Sequence, residues 1–296
     1  MSAHRKSGVF PPFIIFIAPS FVFFILFYIY PIVTSFIASF TDWTGIKPLF
    51  ESNFIGLDNY IALVKNPEFI QALINIFIYC MGIPFAVFLG FALALLLSKI
   101  KRQIRTPFLV AYFTPMMTSL VALSIVWSYL YNPLYGVFND ILLRMGLKPL
   151  GWLTDPRYAL VSIMIMNIWR WSGYHMIILL AGIEEIPQPY LEAALVDGAG
   201  FISRVTNVIL PLLKPVLLFQ FVTSTIGSLQ MFTESFIMTS GGPAGATMTP
   251  VMLIYYQSFR FLKFGYGSAI SVIMFIITLG ISLIQIRLVK SGYWGF

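Results

Sequence analysis

Apolar residues are gathered into six long blocks along the chain, at about 10 to 37, 70 to 98, 107 to 131, 158 to 183, 215 to 238 and 264 to 289. Each exceeds the ~20 residues with which a helix rising ~1.5 Å per residue crosses ~30 Å of hydrocarbon. The blocks are rich in Leu, Ile and Phe and lack strict alternation. That pattern predicts helices rather than barrel strands, and an open strand edge would leave backbone groups unpaired in lipid. The expected fold class is therefore all-α, a polytopic membrane protein with six transmembrane helices in one domain spanning 1–296. The first block follows Arg5 and Lys6 as a signal peptide would. It is too long for an h-region, lacks a small-residue cleavage site and opens a multi-span chain, so it reads as a span.

Composition supports the pattern. Of 296 residues, 59% are hydrophobic and 10% charged, with mean hydropathy +0.88. A soluble domain carries roughly a quarter charged residues, so a water-exposed surface would here lack polar cover. Cys80 is the single cysteine and His4 and His175 are the two histidines, which excludes an intrachain disulfide and leaves no cluster at metal-ligand spacing. The net charge of +7 would suit nucleic acid or anionic lipid, and its distribution decides for lipid. With both termini placed in the cytoplasm, ten Lys and Arg fall in inner segments, densest from Lys99 to Arg105, against seven in outer ones. That asymmetry favours both termini inside.

Two segments between blocks carry local signals. Gly56-Leu57-Asp58-Asn59-Tyr60 in the first outer loop places Asp58 to cap a short interfacial helix. The inner loop 184–214 is neither a tight turn nor a span. Pro187 and Pro189 stop the fourth helix, a short helix starts near Tyr190 with Glu192 in its first turn, Gly198 and Gly200 break it, and a second amphipathic stretch runs from Phe201 to Pro211. By its own chemistry this is a helical hairpin whose small residues, Ala193, Ala194, Gly198 and Gly200, let another backbone approach.

The run Glu192-Ala193-Ala194, three residues, Gly198, nine residues, Val208-Ile209-Leu210-Pro211 resembles the EAA loop of bacterial ABC importer permeases, with Val208 where the pattern has Ile. EAALVDGAG from Glu192 to Gly200, Thr239-Ser240-Gly241-Gly242-Pro243 with Thr247, Phe54 to Tyr60 and Phe264 to Ala269 are similar to the carbohydrate-uptake branch, its MalF-like and UgpA-like subunits, and the likeness covers nearly the whole chain. The resemblance implies a type I importer permease in the bacterial or archaeal cytoplasmic membrane. It implies that Glu192, Ala193, Ala194, Asp197, Gly198 and Gly200 dock into a cytoplasmic ATPase. The implied partners are a second permease, two ATPase subunits that hold ATP and Mg, an extracytoplasmic solute-binding protein, a sugar and membrane lipid, with no nucleic acid. No cofactor is expected in this chain, since Gly241-Gly242-Pro243-Ala244-Gly245 lacks the Lys and Ser/Thr of a phosphate-binding loop.

The substrate path is sought on the two most polar blocks, because polar groups at membrane depth are costly and face a cavity or a partner. The fourth carries Asn167, Arg170, Trp171, Tyr174 and His175, and the fifth Ser224, Ser228, Met231 and Glu234. Sugars need hydroxyl partners and aromatic faces, which Asn, Ser, Tyr and Trp supply. Gap-free alignment to the MalF-like pattern puts its sugar contacts at Asn167, Tyr174 and Ser224, with Ser228 and Met231 in place of two Asn. Arg170 and Glu234 are the two charges inside spans, and either their mutual pairing or a contact with the second permease would serve them. An intramembrane enzyme and an ion-coupled secondary transporter are the alternatives. Neither HExxH nor GxSxG occurs, and inverted repeats are not evident.

Overall fold

The computed structural model describes residues 12–293. Arg5 and Lys6, His4 and the first two residues of the first predicted span lie outside the described residues. Helices dominate, as expected. α1 is built from Pro12–Phe24, a π-turn at Ile25–Ile29 and Tyr30–Ala38. Pro31 has no N–H for the Phe27 carbonyl, and its ring pushes that carbonyl aside, so the wider turn sits just before it. Almost none of α1 is buried; a helix apolar all round is suited to lipid.

By contacts the chain divides into two compact units, 1–63 with 254–273 and 64–253 with 274–296, each taken by itself. In the first, α2 (Asp58–Lys65) is the expected short helix, with Asp58 opening its first turn. Its neighbour Asn59 does the fastening, donating from Nδ2 to the carbonyls of Ser39 and Thr41, both at 2.9 Å. Gly265 brings its backbone against the same corner: a Cβ there would lie 2.0 Å from the Thr41 oxygen, and its N–H donates to the Trp43 carbonyl at 2.9 Å.

The second unit starts with α3 (Pro67–Cys80) and α4 (Gly82–Ser98), together the second expected span. α5 (Arg102–Met117) and α6 (Leu120–Leu130) correct the third. Over the expected span 107–131 the chain is not one straight helix but turns by 97° between them. Pro115 removes a hydrogen bond from the last turn of α5, and Thr118 and Ser119 are extended. α7 (Val137–Arg144) lies in the following loop. α8 (Pro156–Glu184) is capped by Asp155, which accepts the Arg157 N–H at 2.9 Å and pairs with its guanidinium at 2.7 Å. These bonds hold the half-buried Asp155 carboxyl below its ordinary range.

α8 is the axis of this unit. It buries Ile163, Met166, Met176 and Leu179 completely, and α4 and α5 approach it through two glycines. A Cβ on Gly90 would meet His175 Cβ at 2.5 Å and the Ser172 oxygen at 2.9 Å, and one on Gly173 would lie 1.9 Å from the Tyr112 oxygen.

α9 (Gln188–Val196) starts two residues before the expected Tyr190, with Pro189 in its first turn, where a missing N–H costs nothing. α10 (Phe201–Arg204) runs on through a π-turn at Val205–Ile209, ahead of Pro211, to Leu212. α11 (Lys214–Leu229) and α12 (Thr233–Thr239) correct the fifth expected span, 215–238, which unwinds at 230–232. α13 (Pro250–Tyr255), a π-turn at Tyr256–Arg260 and α14 (Phe264–Tyr293) complete the chain. Among the described residues three helices are long and apolar enough to cross a membrane, Phe16–Ala38, Pro67–Ser98 and Phe264–Leu288, or up to five if each bent pair is one span. With 29 residues α8 has the length, but its polar middle keeps it from qualifying by composition.

Candidate functional site

The polar middles of α8 and α11 meet the unwound segment 230–232 and the α3–α4 junction around a cavity of about 170 Å³, more than ten times the ~15 Å³ one water needs. Six of the seven residues expected on the substrate path line it: Asn167, Arg170, Trp171, Ser224, Ser228 and Met231. Tyr174 does not, which corrects its expected place. Its ring packs edge-on against Trp171 at 5.5 Å and His175 at 5.6 Å, an arrangement favoured by the ring quadrupoles.

Asn167 is 4% exposed and donates from Nδ2 to the Ile163 carbonyl at 3.3 Å, while its Oδ1 has no hydrogen-bond partner. A buried acceptor left open is costly unless a ligand or water meets it. His175 is held from two sides. Gln220 Nε2 donates to the His175 carbonyl at 3.2 Å, which turns Gln220 Oε1 toward Nδ1 at 2.9 Å, and Ser224 Oγ lies 3.4 Å from Nε2. The neutral ring with its proton on Nδ1 satisfies this arrangement.

Arg170 and Glu234 line the same cavity yet belong to none of the ion pairs among the described residues. The Arg170 guanidinium lies over the Trp171 ring, 5.3 Å from its centroid, and its buried Nε has no partner. Glu234, buried in the first turn of α12, accepts a hydrogen bond from the Tyr79 hydroxyl at 3.2 Å, and the helix dipole favours its carboxylate there. Tyr79, Gly82, Ile83 and Ala86 form a wall that the sequence reading missed. A phenol and small residues inside an apolar block give no signal distinct from core.

The unwound strand is braced by the Gly-Gly-Pro loop. Thr249 Oγ1 donates to the Met231 carbonyl at 2.8 Å, Thr247 Oγ1 donates to the Gly242 carbonyl at 2.8 Å, and Asn75 Nδ2 donates to the carbonyls of Gly245 and Met248 at 2.8 and 2.9 Å. The loop motif thus serves the cavity by holding its broken helix.

Away from the cavity, α9 ends at Asp197, Gly198 turns the chain with φ +77°, and the Ala199 N–H closes on the Ala194 carbonyl at 2.8 Å. Glu192, Ala193, Asp197, Gly198 and Gly200 are exposed and Ala194 half-buried. Beside them stand Tyr190, Leu195, Val196 and Ile202, all exposed, an apolar tip that a monomer in water would not present without a partner. The hairpin and the end of α8 are tied to the basic segment 99–105: Lys99 Nζ lies 3.8 Å from the Phe201 ring centroid, and Arg105, in the first turn of α5, pairs with Glu184, the last residue of α8.

Residues 59–291 match the family described as binding-protein-dependent transport system inner membrane component. The chain belongs to that family; it is a multi-pass transport component of the inner membrane and not an enzyme. It is 37% identical over 277 residues to the lactose transport system permease protein LacF of Rhizobium radiobacter, covering 92% of this chain and 91% of that protein. It is 32% identical to the sulfoquinovosyl glycerol transport system permease protein SmoG of Agrobacterium fabrum, covering 94% and 90%. With the trehalose/maltose transport system permease protein MalF of Thermococcus litoralis the identity is 33%, covering 89% and 88%. The fold matches a chain of a bacterial ABC transporter that imports the acidic polysaccharide alginate, with TM-score 0.79 at 21% identity over 94% of this chain and 95% of that one. A further match, TM-score 0.80 at 22% identity over 92% of each chain, is to the alginate transporter in complex with a pentasaccharide-bound periplasmic protein.

Proposed function

We propose that the chain is one of two permeases of an ATP-driven importer and passes a saccharide through the cavity around Asn167 by alternating access. In this reading it forms a single permease domain of six spans with both termini in the cytoplasm. A second permease completes the path, two ATPase subunits hold ATP and Mg, and an external binding protein delivers the sugar. The hairpin with Glu192, Ala193, Ala194, Asp197, Gly198 and Gly200 docks on an ATPase, and its exposed apolar tip supports that role. The saccharide class comes from the named relatives, which carry lactose, trehalose or maltose, and sulfoquinovosyl glycerol.

The observation that carries the proposal is the cavity that Asn167, Trp171, Ser224 and Ser228 line together, with polar amide and hydroxyl groups beside an indole ring. Hydroxyls would meet the amide and the serines, and an indole suits the apolar face of a sugar ring. Asn167→Ala removes a hydrogen bond worth about 0.5–1.5 kcal/mol, so saccharide uptake into cells carrying the whole importer should fall roughly two- to tenfold at limiting sugar while the ATPases still copurify. Wild-type uptake at every sugar concentration would remove Asn167 from the path.

A further inference from the structure

We propose that Arg170 and Glu234 work as a donor–acceptor pair that selects an uncharged saccharide and turns away sugar acids and sugar phosphates; the proposal rests on the saccharide reading above and sharpens it. Both side chains line the one cavity, and they do not pair with each other. Each therefore keeps hydrogen-bonding capacity for something else. A guanidinium offers five N–H donors in a planar fork and no acceptor, and a carboxylate offers acceptors alone. The Arg170 Nε is buried without a partner, and its plane is steadied over Trp171. Glu234 receives one bond, from Tyr79, which orients the carboxylate and leaves most of its lone pairs open.

Asn167 lines the same cavity, and an amide side chain carries both donors and an acceptor, so the cavity asks for a donor at Glu234, for an acceptor at Arg170 and for a hydroxyl of either sense at Asn167. A sugar hydroxyl donates and accepts at once, so neighbouring hydroxyls on one ring answer all three. A carboxylate, sulfonate or fully ionised phosphate accepts only. It would answer Arg170 and leave Glu234 facing another acceptor.

Charge leads to the same result. No other Asp, Glu, Lys or Arg lines the cavity, and His175 is served as a neutral ring by Gln220 and Ser224. The two charges cancel, so an entering anion finds no net attraction to offset the loss of its hydration. A neutral polyol gives up far less on entry, and bonds to charged partners are the stronger kind.

The test takes the intact importer, this chain with its second permease and both ATPases, in lipid nanodiscs without binding protein. Saturation-transfer NMR reads ligand contact with neutral probes, lactose and maltose, and anionic probes, digalacturonate and glucose 6-phosphate. In the wild type the neutral probes should give at least about fivefold more transfer than the anionic ones, a preference of the size one lost favourable contact produces. Glu234→Gln removes the negative charge and should move that ratio toward the anions, and Arg170→Gln should weaken the neutral probes. Copurified ATPase reports assembly, and the wild-type ratio decides even where a variant does not assemble. Equal or greater transfer to the anionic probes in the wild type overturns the proposal, as does a ratio unmoved in an assembled Glu234→Gln complex. Transfer to none of the four probes is a different failure, because it removes the saccharide reading itself.

Discussion

Gly173 has no side chain because the α5 backbone occupies its place: a Cβ would stand 1.9 Å from the Tyr112 oxygen. The obstacle is a carbonyl and not the end of a flexible side chain, so an added methyl must part α5 from α8. Overpacking of that kind costs about 1–3 kcal/mol. Gly173→Ala should accordingly lower the thermal midpoint of the detergent-purified importer. Gly280→Ala in α14 is the control, since nothing lies within 4 Å of its Cβ position and a helical alanine gains up to about 1 kcal/mol over glycine. Equal midpoints for the two variants would contradict the close approach of α5. Gly173 does not stand out in the sequence, because what it meets, Tyr112, lies some sixty residues away along the chain.

At the scale of elements, the apolar blocks were legible because a span must be long and continuous to cover hydrocarbon, and Pro67–Ser98 and Phe264–Leu288 agree closely with the expected 70–98 and 264–289. The breaks were not. The unwinding at 230–232 carries neither Pro nor Gly, and what stabilises it is the Thr249 hydroxyl, which donates to the Met231 carbonyl from 18 residues downstream. No local window contains that bond. The site divides the same way: Asn167, Ser224 and Ser228 were legible as polar groups at membrane depth, while Tyr79 was hidden and Tyr174, on the expected helix, is taken up by neighbouring rings. Thr249→Val keeps the shape and removes the donor, stranding a carbonyl at a cost of about 1–3 kcal/mol. Uptake and thermal midpoint should both fall, and Thr249→Ser should restore them. If valine and serine behave alike, the hydroxyl is not what holds the broken helix.

Across the whole molecule, the proposed orientation rests on charge, and the structure adds an independent constraint. The basic segment 99–105 and the hairpin 184–214 are separate inner loops in the sequence reading, and they touch through Lys99 on Phe201 and Arg105 on Glu184. Loops in contact lie on the same side of a bilayer, so the dense basic cluster sets the side of the hairpin as well as its own. In the proposed six-span topology the loop between α6 and α8 lies on the opposite face. Replacing Cys80, the single cysteine, by Ala gives a background for labelling with a membrane-impermeant maleimide. A cysteine at Ile202, 76% exposed on the hairpin, should react in inverted vesicles and stay unlabelled in intact spheroplasts, and one at Leu134, 93% exposed in the loop after α6, should do the reverse. Labelling Ile202→Cys from outside would invert the orientation and leave the hairpin unable to meet a cytoplasmic ATPase. Labelling both positions from one side would show that the bent pair α5 and α6 enters and leaves by the same face, and would replace the six-span topology with one in which that pair is re-entrant.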